Sequence, residues 1–174
     1  LKLVRTAEEL PALLEQASKH ERSYSDFLEE VMGREVTARH DRHTAMKTSM
    51  ARFPFHKTLE SFDFKFQPSI APKVVQELAT GRFILQREDV LLLGPPGTGK
   101  SHLAQALGRA AIHQGHRVAY REAHTLLEEI TDATLDGTRK AYLAELAAYP
   151  LLIIDDLGMR KLPHTAAEDL LEVI

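Results

Sequence analysis

The sequence predicts an α/β fold in which helices flank a parallel sheet built on a phosphate-binding loop. A short apolar run at 89–93 precedes a glycine-rich loop at 94–101, and apolar residues of helical spacing follow it. A second apolar run, 151–154, ends in two adjacent acids. Strand-like and helix-like segments alternate between these motifs, which is typical of a parallel sheet with helices on both faces.

The glycine-rich loop has the strand, loop and helix order that a P-loop requires. Its glycines allow backbone N–H groups to turn inward around a phosphate, and the helix N-terminus that follows adds partial positive charge. We expect Lys100 to contact the β- and γ-phosphates as a catalytic residue and the Ser101 hydroxyl to bind magnesium. The predicted nucleotide-binding residues are Gly94, Pro95, Pro96, Gly97, Thr98, Gly99, Lys100, Ser101 and His102.

The second motif is the apolar run 151–154 followed by Asp155 and Asp156. Neighbouring side chains of a strand point in opposite directions, so one acid can face a magnesium ion while the other faces a water molecule. We predict that Asp155 is a magnesium ligand and that Asp156 is the catalytic residue that positions or polarises the attacking water. The alternative for Asp156 is a cap on the turn that follows, because adjacent acids also occur where strands end in loops.

The composition is that of a soluble globular protein, with 174 residues, 44 % apolar and 27 % charged residues, and room for one substantial domain and a small appendage. The net charge of −3 gives no overall electrostatic case for nucleic-acid binding. The absence of cysteine, of long apolar runs and of a secretory signal predicts a cytoplasmic protein without a membrane span. Because the chain starts at Leu1 and ends within an apolar helical pattern, we expect a fragment.

The pattern of residues predicts three regions. We expect a helical N-terminal region over 1–52 that contacts a partner or DNA, a phenylalanine-rich linker over 53–70, and a truncated ATPase core over 71–174. The linker either forms one wall of the pocket for a nucleotide base or is a packed connection or an edge strand. Basic residues outnumber acids over 34–57, as in helices that run along phosphates, although a solvated helix face has the same pattern. The DNA contacts predicted there are Arg39, Arg42 and Lys47.

The loop and the acid-tipped strand together resemble AAA+ ATPases of the initiator and helicase-loader branch. The stretches 53–60, 91–104, 142–146 and 151–158 resemble the IstB family, the ATP-binding helper proteins of insertion-sequence transposition. The resemblance implies a bacterial ATPase that uses ATP/ADP and Mg²⁺ and assembles on DNA, largely without regard to sequence. It also implies a homo-oligomer with ATP at the subunit seams, which recruits or activates a transposase.

In this branch an extra helical element lines the DNA, and here it would fall within 122–141. The resemblance therefore implies phosphate contacts for Arg139 and Lys140, although an exposed basic pair at a helix start is an equal interpretation. The sensor residue, arginine finger and lid that the family expects would follow the last residue of this chain. No feature identifies Arg160 or Lys161 as a finger, so we expect hydrolysis to be weak or absent in this fragment alone.

Two other functions fit the same core. A replicative helicase loader of the same branch would differ in its partner, which is a helicase and not a transposase. A small-molecule P-loop kinase would need an acceptor pocket and lid arginines. The adjacent acids favour water as the nucleophile, which argues against the kinase.

Overall fold

The structure of the protein is a computed structural model, which describes residues 3–20, 22–158 and 166–173. Its elements are α1 (Val4–Lys19), α2 (Tyr24–Ala51), α3 (Pro72–Ala79), α4 (Arg82–Gln86), α5 (Lys100–His113), β1 (Val118–Glu122), α6 (Ala123–Leu135), α7 (Arg139–Ala147), β2 (Leu151–Asp155) and α8 (Ala166–Leu171). The chain divides into two compact units, Leu1–Met46 and Lys47–Ile174. The predicted domain limits stay a prediction. No helix in the described ranges is long and apolar enough to cross a bilayer.

The first unit contains a buried carboxylate that completes the start of α1. Glu35 is only 2 % exposed, and its Oε2 accepts hydrogen bonds from the Thr6 backbone N–H at 2.9 Å and the Thr6 hydroxyl at 3.3 Å. The first-turn amides of a helix have no acceptor within the helix. Glu35, which lies 29 residues further along the chain, accepts a bond from one of them. The bond from the Thr6 N–H, with help from Arg42, lowers the pKa of Glu35 despite its burial.

The second unit contains a sheet of two parallel strands. β1 pairs with β2 in a register that runs from Val118 opposite Leu151 to Glu122 opposite Asp155. Helices α6 and α7 connect the two strands, as the sequence predicts for the segments around the Asp136–Gly137 turn. The mixed α/β character and the parallel pairing are therefore confirmed.

Alternation along β2 gives the sheet two covered faces. Leu151 and Ile153 pack with one apolar cluster, whereas Leu152 and Ile154 pack with another. The buried members of the first cluster are Ala51, Ala111, Ile112 and Val118. Those of the second are Leu126, Ile130 and Leu146. Because α5 supplies residues to the first cluster and α6 and α7 to the second, helices lie on both faces of the sheet, as predicted.

The predicted buried strand at 89–93 is wrong. The segment has no regular secondary structure, and Leu91 and Leu93 are 78 % and 87 % exposed. A strand needs a neighbour to accept and donate its backbone hydrogen bonds. Among the described residues the sheet contains only β1 and β2, and neither of them pairs with this segment. A larger AAA+ sheet is accordingly not part of the described structure.

The linker after α2 runs along α5 in the opposite direction. The positions it meets lie at three-residue spacing, so they follow an oblique ridge that winds around the helix from its N-cap. The contacts along this ridge are the Phe53 ring at Gly108, the Phe55 N–H at the Gln105 side chain, the Thr58 carbonyl at His102, and the Phe62 ring at Gly99. This part of the linker is therefore packed against the helix that follows the loop.

We predict that Gly108 and Gly33 respond oppositely to replacement by alanine. Both lie within helices, where Gly→Ala alone stabilises by about 0.5–1 kcal/mol. A Cβ on Gly108 would lie 2.7 Å from Ile153 Cδ1 and 2.8 Å from Phe53 Cζ, whereas Gly33 has no heavy atom within 4 Å. Because overpacking costs about 1–3 kcal/mol, Gly108→Ala should lower the free energy of unfolding. Urea denaturation followed by circular dichroism tests this, and stabilisation by Gly108→Ala would contradict the close packing on α5.

Candidate functional site

The glycine-rich loop ends in a cradle of backbone amides. Gly97 and Gly99 have φ of +78° and +86°, the left-handed region that glycine adopts without strain, and α5 begins at the next residue. Within the described residues, no backbone N–H between Gly97 and Ser101 donates to a backbone carbonyl. The Thr98 hydroxyl closes the loop by donating to the Pro95 carbonyl at 2.9 Å. The free amides and the positive end of α5 together form an environment suited to an anion.

Lys100 lies across this loop. Its Nζ donates to the carbonyl oxygens of Gly94 at 3.0 Å and Pro95 at 2.8 Å. These contacts hold the ammonium group against the first residues of the glycine-rich loop. The positive charge is therefore in place on the loop, where it would meet a bound phosphate.

Asp155 brings the second motif to the first turn of α5. Its Oδ1 accepts a hydrogen bond from the Ser101 hydroxyl at 2.9 Å. The strand period explains this contact, because Asp155 lies two residues beyond Ile153 and so shares the face that packs on α5. The predicted metal-binding pair, separated by 54 residues, thus meets in the structure.

Asp156 lies just beyond the end of β2 and is exposed. Its backbone N–H donates to Asp155 Oδ1 at 2.9 Å, and its φ of +55° is in the left-handed region. Strand alternation therefore does not set the direction of its side chain, contrary to the sequence argument. No hydrogen bond or ion pair of its carboxylate is present among the described residues, so the side chain forms no turn cap there.

Tyr120 belongs to this cluster although no sequence motif marks it. Its hydroxyl donates to Asp155 Oδ2 at 2.7 Å, and its side chain is only 6 % exposed. Burial, followed by the hydrogen bond to Asp155, raises the pKa of Tyr120, so the phenol stays protonated and acts as a donor. Strand alternation could have indicated its position, because Tyr120 lies two residues after the buried Val118 on β1 and therefore on the same face of the sheet.

The oxygen atoms at this point suit a magnesium ion that a nucleotide also binds. The described ranges contain no group of three histidine, aspartate or glutamate side chains that could hold a metal by themselves. Magnesium is commonly bound by one or two carboxylates together with substrate phosphates and water. The Ser101 hydroxyl and the Asp155 carboxylate, 2.9 Å apart, fit that arrangement.

His102 directs its side chain to the linker. Its Nε2 lies 2.9 Å from the Thr58 carbonyl and 3.2 Å from the Ser61 hydroxyl. Its ring meets the Phe62 ring edge-on, with centroids 5.2 Å apart. A nucleotide contact by His102 stays a prediction, and the structure assigns its imidazole to joining the linker to α5.

Arg139 and Lys140, the two residues expected to contact DNA at the start of α7, differ in their surroundings. The Arg139 guanidinium pairs with Asp169 at 2.9 Å and Glu172 at 2.6 Å, and these hydrogen bonds raise the pKa of Arg139. A phosphate would have to replace both carboxylates. Lys140 is exposed and forms no ion pair with a described residue.

The remaining DNA candidates are distributed over both units. Arg42 Nη2 pairs with Glu35 at 3.3 Å, and the Lys47 ammonium donates to the Gly115 carbonyl. Arg39 is exposed. Contacts of these residues with DNA stay a prediction. Arg160 and Lys161, which no sequence feature identifies as an arginine finger, lie outside the described residues.

The profile of the IstB-like ATP binding protein family matches residues 1–174. This chain belongs to that family. It is 42 % identical over 158 residues to a Pseudomonas aeruginosa protein named as an ATP-binding protein of insertion sequence IS21, covering 91 % of this chain and 60 % of that protein. It is 36 % identical over 168 residues to a Geobacillus stearothermophilus protein named likewise for IS5376, covering 97 % of this chain and 67 % of that protein.

The match confirms the resemblance to the IstB family that the loop, the linker and the acid-tipped strand indicated. The IstB-like chain spans about three fifths to two thirds of the length of these two relatives. Insertion-sequence proteins from Bacillus thuringiensis and Mycobacterium tuberculosis also match, at 32 % and 31 % identity.

We predict that Gly99→Ala destabilises this IstB-like chain more than Gly97→Ala. Either alanine must adopt a left-handed φ, which costs about 1–2 kcal/mol. A Cβ on Gly99 would also lie 2.6 Å from Phe62 Cε2, whereas Gly97 has open space. The Phe62 ring cannot move aside freely, because it packs against Phe64 and His102.

Thermal unfolding without nucleotide measures this difference, which we expect to reach about 1–3 kcal/mol from overpacking. Phe62→Leu should recover part of it in the Gly99→Ala background and should destabilise the parent. Equal effects of the two glycine substitutions would contradict the packing of the linker on the loop.

Proposed function

We propose that this chain binds ATP with Mg²⁺, and that the natural protein that contains it hydrolyses ATP in support of insertion-sequence transposition. The observation that carries the proposal is the hydrogen bond between Ser101 and Asp155, which joins the glycine-rich loop to the acid-tipped strand. Family membership and the names of the relatives, which refer to ATP binding and to insertion sequences, support the same conclusion.

Each group of the site has a role in this proposal. The amides from Gly97 to Ser101 bind the phosphates, and Lys100 exchanges its carbonyl partners for the β- and γ-phosphate oxygens. Ser101 and Asp155 hold Mg²⁺, which supplies positive charge against the phosphates. The loop and the strand therefore contribute to one site, and neither motif suffices without the other.

Asp156 is proposed to orient the water that displaces ADP from the terminal phosphoryl group. Its carboxylate is exposed and has no partner among the described residues, and its backbone is tied to Asp155. The names of the relatives, which refer to insertion sequences, favour water as the nucleophile over the acceptor of a small-molecule kinase. Within this proposal Asp155 holds the metal and Asp156 acts on the water.

The protein is further proposed to assemble as a homo-oligomer on DNA, with ATP at the subunit seams, and to recruit a transposase. The relatives named above belong to insertion sequences, which favours a transposase over a replicative helicase as the partner. Phosphate contacts of this kind depend on charge and are largely independent of sequence. Lys140, exposed at the start of α7, forms no ion pair with a described residue, so a phosphate contact by it would displace no acid there.

We expect Asp156→Asn to separate ATP binding from hydrolysis in the natural protein that contains this sequence. Asparagine tolerates the left-handed φ of +55°, so the fold and the ATP affinity should persist. Without a carboxylate to polarise water, phosphate release should fall by about 10²–10⁴-fold. Fluorescent-nucleotide titration and a phosphate-release assay give the two readouts.

Lys100→Ala is the control for this experiment. Loss of a charged hydrogen-bond donor is worth about 1.5–3 kcal/mol, so its ATP affinity should fall by about 10–100-fold. Phosphate release by Asp156→Asn at the parental rate would refute the role of Asp156. Parental ATP affinity of Lys100→Ala would refute the phosphate-binding loop itself.

The DNA proposal predicts binding that requires ATP, is indifferent to sequence and weakens steeply with salt. Mobility shifts on random duplexes, with salt raised in steps, measure the slope of log affinity against log salt. Removing one phosphate contact with Lys140→Ala should reduce that slope by about 1. Lys73, an exposed lysine on α3, provides a control of equal charge that should leave the slope unchanged. Equal slopes for both variants would contradict a phosphate contact by Lys140.

A further inference from the structure

The Asp155 carboxylate is held from two sides. Its Oδ1 accepts hydrogen bonds from the Ser101 hydroxyl and the Asp156 backbone N–H, both at 2.9 Å. Its Oδ2 accepts a bond from the Tyr120 hydroxyl at 2.7 Å. The last torsion of an aspartate side chain has broad, roughly two-fold preferences, so the rotamer alone does not fix the plane of the carboxylate. Hydrogen bonds have to fix it.

Tyr120 is well placed to do so because its own position is fixed. Its ring is buried and meets the Phe53 ring of the linker edge-on at a centroid distance of 5.9 Å. A buried phenol needs a hydrogen-bond partner, and Asp155 provides the acceptor. The rigid ring therefore presents its hydroxyl to one oxygen of Asp155 from a constant direction.

We propose that Tyr120 is a positioning residue that holds Asp155 Oδ2 and thereby keeps Oδ1 directed at Ser101, where magnesium binds. This inference rests on the proposed function, because it assigns Asp155 to Mg²⁺. Tyr120 itself touches neither the metal nor the nucleotide in this proposal. Outer partners of metal-binding carboxylates typically change metal affinity by about 10–100-fold when they are removed.

A second tyrosine in the same unit provides a matched control. The Tyr142 hydroxyl donates to Glu129, which also pairs with Arg121 Nε at 2.7 Å. Tyr142 packs with the cluster on the other face of the sheet. Tyr142→Phe therefore removes the same kind of tyrosine–carboxylate bond, with a comparable loss of stability, away from the glycine-rich loop.

The test measures the binding of a fluorescent ATP analogue as Mg²⁺ is raised, in the natural protein that contains this sequence. Tyr120→Phe should need about 10–100-fold more Mg²⁺ for half-maximal enhancement of binding. Its affinity for the analogue in excess chelator should equal that of the parent. Tyr142→Phe should keep the parental Mg²⁺ midpoint, while thermal unfolding reports the stability lost by each variant.

The outcomes separate this inference from the proposed function. If binding by the parent does not depend on Mg²⁺, the proposed metal site fails and the inference fails with it. If the parent depends on Mg²⁺ but Tyr120→Phe has the parental midpoint, only the positioning role is overturned. Equal midpoint shifts in Tyr120→Phe and Tyr142→Phe would also overturn it, because they would indicate a general loss of stability.

Two further variants test whether ring packing alone explains the shift and whether Tyr120 acts through Asp155. Phe53→Leu alters the contact that helps to fix the Tyr120 ring but leaves the hydroxyl, so its midpoint should shift less than that of Tyr120→Phe; a shift as large as that of Tyr120→Phe would overturn the proposal. In an Asp155→Asn background, adding Tyr120→Phe should change the midpoint less than about twofold, because coupled residues are not additive. A full additional shift would show that Tyr120 does not act through Asp155.

Discussion

The packing of α5 against both the sheet and the linker is the constraint on which the second unit depends. One part of this helix contributes Ala111 and Ile112 to the core against the strands, and a ridge at three-residue spacing meets the linker. Its first turn carries Lys100 and Ser101. Because protein interiors are densely packed, a displacement of this helix would disturb the core, the linker and the loop together. The glycines at positions 99 and 108 allow this close approach.

The alternation of side chains along β2 connects the apolar core to the Asp155 carboxylate. Leu151 and Ile153 face the cluster that includes α5, and Asp155 follows on the same face. The alternation that buries apolar side chains thus also delivers a carboxylate to the start of α5. There it accepts hydrogen bonds from three donors, two of them side chains of α5 and β1. A carboxylate held in this way has a defined direction, which a metal ligand needs.

The ion pairs of the chain show which acids compete with a phosphate for the arginines that were predicted to contact DNA. Arg139 and Arg42, both expected at DNA, are paired with acids in this structure. The carboxylates of these pairs are only 15 % exposed in Asp169 and 3 % exposed in Glu35, so a phosphate that took over either arginine would leave a largely buried acid without that partner, which costs free energy. A charged residue in the sequence therefore indicates a capacity for phosphate contact, and the fold determines which acids compete for it.

The sequence by itself determined the family, the glycine-rich loop, the two acids and the parallel strands joined by helices α6 and α7. These features depend on local patterns: glycine spacing, an apolar run ended by acids, and helical periodicity. Tertiary structure decided the rest. The run at 89–93 is apolar enough for a strand but pairs with neither strand of the described sheet. The partners of Tyr120 and His102, and the pairing of Arg139, depend on contacts between residues distant in the chain, which no local pattern records.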